Sequence, residues 1–332
     1  MEKYREEKHM DRKSIVQSFW MQQATTKEQV LRLIDAALIT AMPALPGDAE
    51  QDAEDAFDEQ KSTHLWIVSH AAVLLKEEGK AGQRIYELVK PHRGKIGDSF
   101  HDNLCQGLSD ADHKAPYNDP LFPSGTIPTW KSHFYDPDTR TNWLGEASPT
   151  AVTSGSLYYY LSRDTYTSGD MEQAGYYLGL ALHYLTDLTQ PMHAANFTWL
   201  DSRRFGYHTD FENYARNVRR RISPPVKYIP LAFGSTPYEY LQAVARRTKD
   251  RYYHIVCKPE WTQTYERETM TEEMWDLRLG RYMEPMLTDA VIITAGYLLT
   301  WMESLSYVAS GSSTIRDNKA IGVREVLTRV GF

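Results

Sequence analysis

The 332-residue chain carries 37 Lys and Arg against 44 Asp and Glu, a net charge of −7, with 42% hydrophobic and 12% aromatic residues. That length suits one large domain or two modest ones. The acidic balance argues against a general nucleic-acid binder held by phosphate neutralisation, and it gives no long-range pull toward an anionic membrane. Phosphate chemistry would need a local positive centre, and a bound metal ion is one. Cys105 and Cys257 make neither a zinc ribbon nor a disulfide framework. One bridge is open to them, but two small buried side chains is the simpler reading. Zinc would therefore be held by His and carboxylate.

The charged amino terminus and the run 30–44, broken by Arg32 and Asp35, read as an amphipathic helix and not a signal peptide. No apolar run reaches membrane-spanning length. Residues 1–49 read as a helical extension that ends at Ala44-Leu45-Pro46-Gly47. Residues 48–59 hold seven carboxylates and no base. A charge run is usually a solvated linker, but His64 follows closely enough to leave a ligand role open.

A helix is expected from Ser62 or Thr63 as N-cap, with Gly79 as its stop. A second covers 83–89, and a third ends near Leu108. Residues 109–143 are rich in Asp, Pro, Asn, Gly and aromatics, the composition of an ordered functional loop. That stretch contains Asp110, Asp112, His113, Trp130, His133, Asp136 and Asp138. Helices follow at 149–167, 171–188, 206–221, 237–256, 271–279 and 288–305, with Asp170 capping the second of these after Gly169. No strand alternation and no fixed repeat is present. The expected fold class is all-α, a bundle of roughly eight to ten helices around one core.

One series of residues stands out: His183-x3-Asp187-x5-His193-x14-His208-x3-Glu212. Two pairs spaced i,i+4 put both side chains of each pair on one helical face. A His and an Asp facing an apolar interior need a partner, and a divalent cation serves best. Asp112, His133 and His64 lie upstream as further ligand types. A lone pair of this spacing is more often a satisfied core feature. Two pairs joined by a Pro-Met-His turn favour metal, whereas His70, His92, His101 and His254 have no such company and read as structural or exposed.

The stretch A-L-H-Y-L-T-D-L-T-Q-P-M-H-A-A-N-F-T resembles the signature of the bacterial zinc-dependent phospholipase C family. S-T-H-L-W-I-V, S-H-F-Y-D-P-D and M-E-P-M-L-T-D-A-V-I-I-T-A-G-Y resemble family segments in the same order, together covering 53–306. The resemblance implies a catalytic domain over 50–306 between the extension 1–49 and a tail at 307–332. It implies zinc, with two ions and a third beside them. One ion would take Asp112, His133, His183 and Asp187, a second His193, His208 and Glu212, and the third Asp187 and His64. Relatives finish the third site with an N-terminal Trp, which position 51 does not supply. Cleavage near Gln51, replacement by Asp52, Asp55 or Asp58, and a weak site all remain open, with carboxylate replacement preferred.

The implied reaction is hydrolysis of the glycerol-side phosphodiester of phospholipids such as phosphatidylcholine. Water attacks without a covalent intermediate, Asp112 acts as general base or orients the water, and Glu54, His113 and Trp130 read the head group. The expected partner is phospholipid, dispersed or at a membrane surface; nucleic acid is not expected, and the chain is expected to be monomeric. Relatives are secreted, so export is expected although no signal peptide is read. The 26 residues after position 306 are too few for a lipid-binding β-sandwich. Two alternatives stand beside this reading. One is a single-strand-specific zinc nuclease, which shares the fold. The other is a zinc-stabilised membrane- or partner-binding protein without turnover.

Overall fold

Among the described residues, eight long helices follow in chain order in the computed structural model: α1 (Thr63–Leu75), α2 (Gly79–Val89), α3 (Ser99–His113), α4 (Ala151–Ser168), α5 (Met171–Leu188), α6 (Tyr207–Val218), α7 (Pro237–Thr248) and α8 (Arg281–Ala309). The structure describes residues 62–89, 99–114, 130–198, 201–202, 206–231, 233–234, 236–266 and 270–309. The extension 1–49, the acid run with Glu54, Asp52, Asp55 and Asp58, and the tail beyond 309 lie outside the described residues. Among the described residues there is no strand, only an isolated antiparallel bridge between Asp136 and Thr141.

α5 is the axis of the molecule. Asp170 caps it by accepting from the Gln173 amide, and Gly169, at φ 91°, ends α4 just before it. Such a cap is worth about 1 kcal/mol. Thirteen of its eighteen residues are buried, so it has core on nearly every side. α3 packs along one flank and α4 along the other. The α3–α5 approach depends on three glycines that no sequence pattern had marked. A methyl at Gly107, Gly175 or Gly179 would collide with the carbonyl of Tyr176, Phe100 or Leu104 respectively. This close contact lays the C-terminal end of α3 against the middle of α5.

A prediction follows for Gly179→Ala. Its Cβ would also stand 2.9 Å from the Leu108 amide nitrogen, so the helices must separate. A stability loss of about 1–3 kcal/mol is expected from overpacking. It would be read as a lower urea midpoint at unchanged slope. An unchanged midpoint would show that the helices do not need this closeness.

Several boundaries differ from the sequence reading. α3 does not stop near Leu108 but runs to His113, so Asp110, Asp112 and His113 sit in its last turns and not in a loop. Asp110 is buried and accepts from Gln106 (2.6 Å), Lys114 and the Tyr176 hydroxyl (3.0 Å). Those bonds hold in helical form a segment whose Asp-rich composition favours turns. Gly79 opens α2, at φ 69°, instead of closing α1. α8 begins at Arg281 and passes through Pro285 to Ala309. A π-turn at Asp276–Gly280 precedes it, a place where helices absorb such irregularity.

Run together, residues Glu272–Leu305 are long and apolar enough to cross a membrane by length and composition, which the sequence reading passed over. Of its apolar window 72% is buried inside the protein, the packing of a core helix. The core has two clusters. The larger joins α1 to α5 with α7 and most of α8, through residues such as Leu75, Leu104, Leu182 and Leu298. The smaller joins α6 with the 252–283 region, through Tyr207, Phe211, Trp275 and Met283. The candidate site lies along their seam. Both cysteines are buried thiols in no disulfide, so the simpler of their two readings holds.

Candidate metal centre

Six separate elements deliver the ligand-type side chains. α5 carries His183 and Asp187 one turn apart, and the last turn of α3 carries Asp112. His133 sits in the 3-10 turn Lys131–His133 and His193 in the 3-10 turn His193–Ala195. α6 supplies His208 and Glu212, and the first turn of α1 supplies His64. The two irregular turns are laced together: the Tyr135 amide donates to the His193 carbonyl (3.0 Å), and His193 Nδ1 donates to the His133 carbonyl (2.8 Å). Phe134 stacks flat on the His193 ring, centroids 4.5 Å apart. Asp136 and Asp138 point the other way. Lys249 Nζ binds each at 2.7 Å, so they anchor the turn and hold no place in the cluster.

The hydrogen bonds define the ring tautomers. His183 Nδ1 donates to the Leu108 carbonyl (2.7 Å), His208 Nδ1 to the Phe197 carbonyl (3.0 Å) and His133 Nε2 to the Ala111 carbonyl (3.1 Å). With His193 on the His133 carbonyl, four imidazoles spend their N–H outward. Their other nitrogens face inward, as lone pairs wherever no proton occupies them. His183 Nε2 stands 3.1 Å from His133 Nδ1, and His193 Nε2 stands 3.0 Å from His208 Nε2. Carboxylate oxygens join them. Glu212 Oε1 lies 3.0 and 3.3 Å from His208 and His193, and Asp112 Oδ1 lies 3.5 and 3.7 Å from His183 and His133.

Lone pairs this close repel one another unless a cation or proton lies among them. Donor atoms around one tetrahedral zinc, at bond lengths of about 2.0–2.2 Å, stand about 3.3–3.6 Å apart. The observed spacings bracket that range, and the donors are imidazole nitrogen and carboxylate oxygen without thiolate, so the residues fit zinc. Three groups could each hold an ion: Asp112, His133 and His183; His193, His208 and Glu212; and His64, His183 and Asp187. All eight ligand candidates read from the sequence thus come together. Asp187, 4% exposed, turns Oδ2 toward His133 (2.8 Å) and His183 (3.4 Å), and Oδ1 toward His64 (4.0 Å).

Charge distribution follows from this crowding. Burial opposes an imidazolium at His183, but Asp112 and Asp187 outweigh it and hold the ring well above its ordinary value. Burial likewise opposes charge on His193, and Asp187 and Glu212 lift it to about 9. Burial and the His183 ring push His64 down to about 4. Against burial, His183 and its neighbours keep Asp187 and Asp112 well below the usual carboxylate range. His208 and His193 do the same for Glu212.

The cluster forms the floor of a cavity of about 570 Å³. His113 and Trp130 line it beside Asp112, and Met283, Met286 and Leu287 of α8 make an apolar wall. Trp130 takes a left-handed backbone, φ 49°, uncommon for so large a residue. Its indole N–H donates to the Asp112 carbonyl at 3.3 Å. Glu54, the third residue expected near the head group, lies outside the described residues.

Two residues near the cluster escaped sequence reasoning. Gln190 Nε2 reaches Glu212 Oε1 (3.3 Å), and its Oε1 accepts from the His193 amide (3.2 Å). Its place directly before Pro-Met-His was the available signal. Thr186 Oγ1 stands 2.6 Å from His64 Nδ1, and its place directly before Asp187 was the hint. Of the uncommitted histidines, His254 is exposed and His92 lies outside the described residues. His101 is buried between the Val89 carbonyl and Cys105, and His70 packs edge-on to Trp66.

Comparison with known proteins agrees with this geometry. Residues 63–266 match the zinc dependent phospholipase C family. A phospholipase C of Bacillus cereus is 32% identical over 259 residues, covering 76% of this chain and 84% of that protein. A phospholipase C of Listeria monocytogenes is also 32% identical, covering 77% and 82%. The alpha toxin of Clostridium absonum superposes with a TM-score of 0.54 at 22% identity, covering 75% of this chain and 65% of the toxin, which bears on the fold alone. The chain belongs to the zinc-dependent phospholipase C family. It is accordingly a phosphoric diester hydrolase with a lipid substrate.

Proposed function

We propose that this chain hydrolyses the glycerol-side phosphodiester of phospholipids such as phosphatidylcholine, at a three-zinc centre built from the eight clustered side chains. The observation that carries the reading is the convergence of inward imidazole lone pairs and carboxylates on the floor of an apolar-walled cavity. Zinc bound there supplies Lewis-acid polarisation of the phosphodiester and acidification of water toward neutral pKa.

The chain's own groups do the rest. Asp112 is 40% exposed toward the cavity and stays ionised, so it can orient the attacking water and accept its proton. The water oxygen bonds to phosphorus, the bond from phosphorus to the glycerol oxygen breaks, and a proton reaches that oxygen. Diacylglycerol and a phosphorylated head group leave. Trp130 offers a ring face to a quaternary ammonium. His113, where relatives commonly carry Tyr, supports a broadened head-group preference. Met283, Met286 and Leu287 shield the lipid side from water. The chain acts as a monomer on dispersed lipid or a membrane surface. Its likeness to clostridial toxins supports an exported setting.

The test assays short-chain phosphatidylcholine beside single-stranded DNA, with and without a strong chelator. Chelator-sensitive release of phosphocholine is expected, with the DNA left whole. Compared with wild type at equal zinc occupancy, Asp112→Asn is expected to lose on the order of 10²–10⁴-fold in turnover, the usual contribution of a positioned base. DNA cleavage without lipid cleavage would replace this reading with the nuclease. Full activity in Asp112→Asn would remove Asp112 from its role.

A further inference from the structure

We propose that Thr186 is the positioning residue of the third metal locus, the one that joins His64 to Asp187. The assignment rests on the zinc reading above. Thr186 is 3% exposed on α5, directly before Asp187. Its hydroxyl donates back to the helix, at 2.8 Å from the Leu182 carbonyl and 2.9 Å from that of His183. A hydroxyl has one proton, and this one is committed to the backbone. The short contact of 2.6 Å between Thr186 Oγ1 and His64 Nδ1 must then have the imidazole N–H as donor.

That bond sets the tautomer of His64. With the proton on Nδ1, Nε2 presents its lone pair, and it faces Asp187 Oδ1 at 4.0 Å. Two acceptors at that distance make no hydrogen bond with each other, but both can reach one cation. The stack of His64 on His183, centroids 4.2 Å apart and planes 25° off parallel, limits tilting of the ring. Thr186 limits rotation in its own plane. The other four imidazoles take their outward partner from a backbone carbonyl, which no substitution removes. His64 alone takes it from a side chain, so its geometry depends on the residue at position 186.

The locus is therefore preset by α1 and α5 through residues that lie within the described fold. With its proton held on Nδ1, His64 offers the Nε2 lone pair to the locus. The hydroxyl of Thr186 keeps that lone pair aimed at Asp187.

The experiment counts zinc in the intact chain by competition with a chromophoric chelator, comparing wild type with Thr186→Val, Thr186→Ser and His64→Ala. Wild type is expected to bind three equivalents, and His64→Ala two. Thr186→Val, nearly the same shape without the hydroxyl, is expected to keep two tight equivalents and bind the third about 10–100-fold more weakly, the usual effect of losing such an outer partner. The two retained equivalents report that the variant has folded. Thr186→Ser is expected to restore the third to within a few fold. Fewer than three equivalents in wild type would sink the three-zinc reading itself. Three in wild type with an unchanged third equivalent in Thr186→Val, or a serine variant as weak as the valine one, would overturn the role of Thr186 alone.

Discussion

Asp187→Asn is expected to remove most of the activity, on the order of 10³-fold or more. Asp187 is the carboxylate whose two oxygens face different loci, Oδ2 toward His133 and His183 and Oδ1 toward His64. An amide keeps the shape but carries no charge, and one of its two faces is a donor. A donor directed at imidazole lone pairs excludes a cation from that side. Lewis-acid stabilisation is worth several kcal/mol, and each 1.36 kcal/mol is tenfold in rate, which gives the magnitude. Zinc content should fall with turnover. Turnover above a tenth of wild type at full zinc occupancy would show that Asp187 bridges nothing. The same substitution should lower the proton affinity of His183 and His193 in metal-free protein, since Asp187 helps hold both up. Imidazole resonances followed against pH would record it.

The second large effect concerns zinc removal. Protons and zinc compete for the same inward lone pairs. At pH 7 in metal-free protein, His193, raised to about 9, and His183, held well above its ordinary value, both carry a proton. Zinc binding should therefore release about two protons per chain at pH 7, measurable by calorimetry in buffers of differing ionisation heat. Release of none would mean that these rings are neutral beforehand.

The sign for stability runs with it. A group raised from 6.5 to about 9 stabilises the metal-free fold below pH 6.5, and that contribution is lost as pH rises through about 9. Metal-free protein should thus weaken from pH 6.5 to 9, while zinc binds more tightly over the same window. Zinc at about 1,000 times its dissociation constant adds about 4 kcal/mol per site. At 2–4 °C per kcal/mol for a domain of this size, chelation should lower the melting temperature by roughly 8–16 °C for each ion lost. The shift should be larger at pH 8.5 than at pH 6. A shift that shrank with rising pH would contradict the proton competition.

The parts of this centre that were legible in the chain are those in which one helical turn joins two ligand-type side chains. His183 with Asp187, and His208 with Glu212, are neighbours by covalent geometry alone, so their spacing announces them. Asp112 was legible as a ligand type yet misplaced, because its helical state depends on Asp110 finding partners in Gln106, Lys114 and Tyr176. Tyr176 lies 66 residues away along the chain, and no local pattern contains such a contact. Thr186 and Gln190 were overlooked for a different reason. Each looked like an ordinary polar residue, and its importance lies only in what it touches.

By itself the sequence determined the helical class, the caps on α4 and α5, the two i,i+4 pairs and the absence of thiolate ligands, since these follow from residue type and periodicity over short spans. Only the tertiary structure decided how the ligand groups meet. Gly107, Gly175 and Gly179 let α3 approach α5 closely enough to bring Asp112 beside His183. Backbone carbonyls from distant segments turn four imidazoles inward, and Thr186 turns the fifth. Contacts of that kind depend on the path of the whole chain through space, which a periodicity of three or four residues does not encode.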